Sequence, residues 1–127
     1  MSAQTTITTV RTPDGLALSG TFVLPDGATQ AAVLVHGGGV TREEGGFFTR
    51  LAAGLAEAGI ASLRFDLRGH GESGGRQEGL TIAGILADIR AAVPLACSRV
   101  KTNPVALLGT SFSGGISTTT PPSTRMT

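Results

Sequence analysis

The sequence has no tryptophan, no tyrosine, a single cysteine and two histidines among its 127 residues. The lone Cys97 excludes an internal disulfide and fits a reducing compartment. It reads as a small buried apolar residue. One cysteine and two histidines far apart do not make metal-ligand spacing, so no metal is expected. No apolar run approaches the roughly 18 residues that a membrane span needs. The first residues, MSAQTTITTV, are polar and lack the apolar centre of a secretion signal. A cytoplasmic location is the resulting expectation. Charge of either sign is scarce and nearly balanced, at a net +1, with no basic cluster. Nucleic acid and anionic membrane are thereby unsupported as partners.

What the chain has in quantity is glycine, 19 residues gathered at 37–39, 45–46, 69–75 and 114–115. Clusters that follow apolar runs mark tight turns at strand ends. Residues 5–11 alternate in period two, as a strand does, and 13–15 (PDG) form a turn into a second strand at 16–25. These two form an antiparallel hairpin. AAVLVHG (31–37), IASLRFD (60–66) and PVALLG (104–109) are short continuous apolar runs, as in strands buried on both faces. Between them, 46–59 places Phe47, Leu51 and Leu55 on one helical face and ends at a capping glycine, Gly59. The segment 80–98 carries Ile82, Ile85, Leu86 and Ile89 on a helical stripe that Pro94 kinks or ends. The order β-β-β-α-β-α-β predicts an α/β fold with a mostly parallel sheet. Its ligands would lie beyond the carboxyl ends of the strands, where the glycine clusters converge.

Ser111 stands at the head of such a cluster, in LLGTSFSGGIS. A strand that meets small residues this way can present a nucleophile on a sharp turn. The alternative is a serine capping a helix, a role Ser113 would fill equally well. Gly69, Gly71 and Gly74, with Asp88 further on, match a dinucleotide-binding pattern. That pattern should open a helix in the first β-α unit, whereas here a polar loop follows and a hairpin precedes.

Three segments, LVHGGGVTREEGGFF, SLRFDLRGHGESGG and VALLGTSFSGG, together resemble the α/β-hydrolase family over roughly residues 15–116. They look most like its esterase, acyl-hydrolase and serine-aminopeptidase-like members. The resemblance implies the N-terminal portion of the α/β-hydrolase fold, truncated after the nucleophile elbow. It makes Ser111 the nucleophile, with Gly109 easing the turn and Ser113 standing where the family usually has glycine. It assigns the oxyanion hole to the amides of Gly38, or next Gly39, and Phe112. His36, Gly37, Asp66 and Arg68 then shape the loops, and His70 is a surface loop residue. The substrate implied is a small acyl compound, and no cofactor is implied.

In that family the acid and the histidine follow the nucleophile in the chain. After Ser111 there is no Asp, Glu or His. His36 and His70 are the remaining candidates for a base, and neither stands at the family's position. Loss of the other triad members lowers turnover by about 10⁴ to 10⁶. Residues 117–127, STTTPPSTRMT, have no apolar periodicity and read as a disordered tail after a core at 1–116. Read one base earlier, the codon classes of the threonine run onward permit Tyr-Tyr-Ala-Ala-Leu-Asp-Pro-Asp-Asp, a helix followed by a polar turn. The expectation is a frameshifted or prematurely ended hydrolase, inactive as written. The strand at 104–109 would then be an open edge prone to self-association.

Overall fold

The computed structural model describes residues 3–77, 80–101, 105–110 and the backbone of 124–126. Strands β1 (Ala3–Arg11) and β2 (Ala17–Pro25) form the expected antiparallel hairpin. Its turn closes by Gly15 N–H on the Thr12 carbonyl. Strand β3 (Gln30–Val35) leads through a 3₁₀ turn at Glu44–Gly46 into helix α1 (Phe47–Glu57). Strand β4 (Ile60–Phe65), helix α2 (Ile82–Val100) and strand β5 (Val105–Gly109) follow. The order of elements and the mixed character of the sheet are those of the sequence reading.

The sheet order is β1-β2-β4-β3-β5-β6, with β6 at Thr124–Met126. β3 pairs in parallel with β4 on one side and β5 on the other. The chain therefore steps from β3 to β4 in one direction and returns across β3 to reach β5. Right-handed crossovers in opposite directions place their helices on opposite faces. The core divides accordingly. Val33, Val35, Ala61, Leu63, Phe65 and Leu107 pack with Ile85, Ile89, Ala92 and Ala96 of α2. Ala32, Leu34, Leu108 and Ala106 lie on the other face with Phe48, Leu51 and Leu55 of α1. The reversal falls at the carboxyl end of β3, the crevice where such sheets place a ligand.

Three local expectations are corrected. Phe47 does not face the core: it is 48 % exposed, and Phe48 is the buried ring. The helix begins at Phe47, so the buried stripe runs through Phe48, Leu51, Ala52 and Leu55, a closer match to 3.6-residue spacing. Pro94 does not end α2, which continues to Val100. Pro94 lies on the exposed side while Val93, Ala96 and Val100 are buried around it, and that burial outweighs the missing backbone donor. Ile82 is exposed at the helix start, where Thr81 caps by accepting from the Gly84 N–H.

β6 pairs in parallel with β5 through Val105, Ala106 and Leu107. Where the sequence suggested an irregular tail and an open edge, residues 124–126 form the rim strand, and Ala106 and Leu107 of β5 are flanked on both sides. The rest of the tail, 117–123 and 127, is outside the described residues, as are 111–116. Among the described residues, no helix is long and apolar enough to cross a membrane.

Candidate active site

The residue that precedes Ser111 can be located. Gly109 ends β5 opposite Val35, and Thr110 N–H donates to the Val35 carbonyl at 3.2 Å. The next residue on the β3 side is His36, the first of the His-Gly-Gly-Gly loop. Register thus brings the chain entering Ser111 beside the chain entering the glycine loop. Ser111 and Phe112 themselves lie outside the described residues.

The glycine loop is tied down at its base and open at its tip. His36 is fully buried, with Nδ1 2.6 Å from the Gly37 carbonyl and Nε2 accepting from the Leu67 N–H at 3.0 Å. Gly37 N–H donates to Glu44 Oε2 at 3.0 Å. Gly39 N–H donates to His70 Nε2 at 3.1 Å. Gly38, exposed between them, makes no hydrogen bond among the described residues. Of the loop's three glycine amides, Gly38 alone has its N–H uncommitted.

Asp66 anchors the neighbouring loop. Its carboxylate accepts from Arg42 N–H at 2.7 Å, the Arg42 guanidinium at 2.8 Å and Glu72 N–H at 3.0 Å. Arg42 also donates to Thr21, Ser19 and Glu72, bolting the β3–α1 loop to β2 and to the β4–α2 loop. Arg68 forms a second bolt. Its backbone N–H and guanidinium donate to the buried Asp88 at 2.8 to 3.0 Å, and the guanidinium also reaches Asp14. The Asp88 hydrogen bonds raise Arg68 above its ordinary value, so the pair is ionised even though burial pushes the Asp88 carboxyl upward. Arg68, then the Thr12 hydroxyl, hold the exposed Asp14 down at about 2.

The glycines of DLRGHGES serve this packing. Gly71 has φ +49°, and a Cβ there would stand 2.4 Å from the Asp66 carboxylate. A Cβ on Gly69, at φ +75°, would stand 2.3 Å from the Arg76 backbone. The pattern that mimics a dinucleotide fingerprint is filled by the protein's own atoms, and Asp88 is occupied by Arg68. His70 is not a surface residue: it is 5 % exposed, with Nδ1 3.0 Å from the Arg68 carbonyl.

Neither histidine is free to act as a base, since each has both ring nitrogens engaged. Burial pushes His36 below its ordinary value. Cys97 is half-buried in α2, and desolvation raises its thiol, which disfavours the nucleophilic thiolate.

Sequence reasoning missed Arg42, Glu44, Asp14 and His70 as fasteners, and assigned Asp88 only to the rejected dinucleotide pattern. Asp88 had a signal. It sits on the apolar stripe of α2 beside Ile85 and Ile89, where an acid needs a partner. Arg42 had none, because its side-chain partners are distant in sequence, and Glu44 had none, because its partner Gly37 is a backbone amide met only through the loop's fold.

Residues 26–124 match the profile of the serine aminopeptidase, S33, hydrolases. The chain belongs to this family. No curated protein sequence matches it. Among solved structures, an esterase of Pyrococcus furiosus superposes with a TM-score of 0.78 at 23% identity, over 91% of this chain and 43% of its own. Est1E of Butyrivibrio proteoclasticus, solved with ferulic acid bound, gives 0.76 at 26% identity, over 87% and 45%. A dienelactone hydrolase of Anabaena variabilis gives 0.75 at 23% identity, over 91% and 56%. The chain thus spans about half the length of these relatives or less, and it shares with them the N-terminal part of the α/β-hydrolase fold.

Proposed function

We propose that this chain is the N-terminal part of a serine hydrolase that acts on an ester or related acyl compound through an acyl-enzyme. The observation that supports the reading is the pairing of Thr110 with Val35, which brings the residue before Ser111 to the start of the His36–Gly39 loop. Ser111 Oγ attacks the acyl carbon and the leaving group departs. The amides of Gly38 and Phe112 hold the oxyanion that forms on the carbonyl oxygen. Gly39 takes the lesser part, because its N–H is given to His70. The hydroxyl proton needs a base, and neither histidine present in the chain has a free nitrogen to accept it. As written, the chain is inactive or nearly so, and its place is the cytoplasm.

Two measurements test this. Hydrolysis of a nitrophenyl ester by the chain and by Ser111→Ala is expected to proceed at the same background rate. A serine-dependent rate would show that a residue here supplies a base. Sequencing the gene is expected to reveal a shifted frame that encodes an acid followed by a histidine. The joined chain should then hydrolyse the ester and lose that activity on Ser111→Ala. A joined chain indifferent to the substitution overturns the role of Ser111.

A second reading is non-catalytic: a remnant that binds a second copy or a complementing fragment along the sheet rim. It draws on the short β6, which leaves Leu108 and Gly109 of β5 beyond its paired residues. Sedimentation separates the two, since a sharp monomer boundary at high concentration removes the second.

A further inference from the structure

Two imidazoles cross between the loop after β3 and the loop after β4. His36 belongs to the first and accepts from Leu67 of the second, at 3.0 Å. His70 belongs to the second and accepts from Gly39 of the first, at 3.1 Å. The rings stand 5.2 Å apart, tilted by 53°. Each Nδ1 faces a backbone carbonyl, Gly37 for His36 and Arg68 for His70. One tautomer satisfies all four contacts: hydrogen on Nδ1 and a lone pair on Nε2 in both rings. The exchange is reciprocal, so each loop is held by the histidine of the other.

The tip of the glycine loop has little else to hold it. Gly38 and Gly39 are exposed, and a Cβ on Gly39 would meet nothing within 4 Å. Gly39 has φ +79°, a conformation that packing at that position does not enforce. The conformation of the tip therefore depends on hydrogen bonds, Glu44 to Gly37 on one side and His70 to Gly39 on the other.

We propose that His70 is the positioning residue of the oxyanion loop, its Nε2 taking the Gly39 N–H so that the Gly38 N–H is the one presented to the crevice. The inference rests on the reading of Gly38 as oxyanion donor given above. It also makes the loop proton-sensitive. A proton on either Nε2 would set N–H against N–H and break the crossing bond. The groups facing the pair are Glu44, whose carboxylate is on Gly37, and Asp66, whose carboxylate is occupied by Arg42. Both favour a charge on His36, whereas burial and the His70 ring oppose it. His70 faces the His36 ring and the Arg68 carbonyl.

The test is nitrogen-15 NMR on the 127-residue chain, which needs no catalytic activity. At neutral pH both histidines should be Nδ1–H tautomers. A coupling across the hydrogen bond should join the Gly39 amide nitrogen to His70 Nε2. Removing the acceptor with His70→Leu should lower the exchange protection of Gly39 about five- to tenfold, as loss of one net hydrogen bond implies. His70→Gln restores an acceptor, so it should keep the protection. The Leu67 amide, held by His36, reports whether each variant is folded. An Nε2–H tautomer for His70, or a Gly39 amide equally protected in folded His70→Leu, overturns the proposal. Failure of the ester assay on the joined chain would remove the role of Ser111 and leave this result unchanged, so the two readings fall separately.

Discussion

The two faces of the sheet are covered to different depths. On one, the 19-residue α2 lies along a continuous apolar layer that includes Val33, Leu63, Phe65 and Leu107. On the other, the 11-residue α1 covers Ala32, Leu34 and their neighbours, and the same strand β4 presents Ser62 and Arg64. Both are buried. Among the described residues, Ser62 Oγ and Arg64 Nε and Nη1 have no hydrogen-bond partner, and Glu43 Oε2 is 3.9 Å from Arg64 Nε. Burial pushes Arg64 below its ordinary value. β4 alternates between a finished apolar face and an unfinished polar one. Stability is thus concentrated on the α2 side and in the bolts at the strand ends.

This contrast can be tested by substitution, beginning with the largest effect. Phe65→Ala on the α2 face should lower unfolding free energy by about 3–5 kcal/mol, measured by urea denaturation. Asp88→Ala should cost about 3 kcal/mol, because it removes the buried partner of Arg68 and leaves its guanidinium only the exposed Asp14. Gly71→Ala forces a side chain against the Asp66 carboxylate at a left-handed residue. It should cost about 1–3 kcal/mol and disturb Arg42 with it. Arg64→Met on the α1 face should go the other way, neutral or stabilising by about 1 kcal/mol or more, since it replaces an ill-paired buried cation with apolar volume. A large loss there would mean that the α1 face is as well satisfied as the other. The smallest effect is that of pH. His36 in the fold lies below its ordinary value near 6.5, so the unfolded chain takes up a proton first. Its contribution is complete above that value and is lost as pH falls through the lower, folded one. Midpoints of urea unfolding from pH 7.5 to 5 should fall with acid in the native chain and less in His36→Asn.

The parts of this architecture that are local in cause were legible in the sequence. The strands at 31–37 and 104–109 announce themselves because both of their faces are largely apolar and glycine ends them, and 60–66 does so by its apolar face, since Ser62 and Arg64 occupy the other. The helix at 46–59 was legible as an element, but its buried ring was not, because adjacent Phe47 and Phe48 compete for one stripe and the start of the helix decides between them. Pro94 misled because a local rule against proline was overridden by burial on the opposite side of the helix. The loop residues His36, Gly37, Asp66 and Arg68 were placed through resemblance and not through spacing along the chain. Arg42 and His70 were illegible as fasteners. Their partners come from loops that meet only after the sheet has formed, and no spacing along the chain encodes that meeting. Ser111 and Phe112 fall outside the described residues, so their placement rests on the strand that leads to them.

The crossover from β4 to β5 sets a distance as well as a direction. Because α2 passes Pro94 without breaking, it is a rod of about 28 Å, 19 residues at roughly 1.5 Å each. One residue added or removed within it would turn its far end by about 100° and shift it by about 1.5 Å. The carboxyl ends of β3 and β5, where the glycine loop begins and Thr110 stands, are held in register by strands whose connection is the length of that helix.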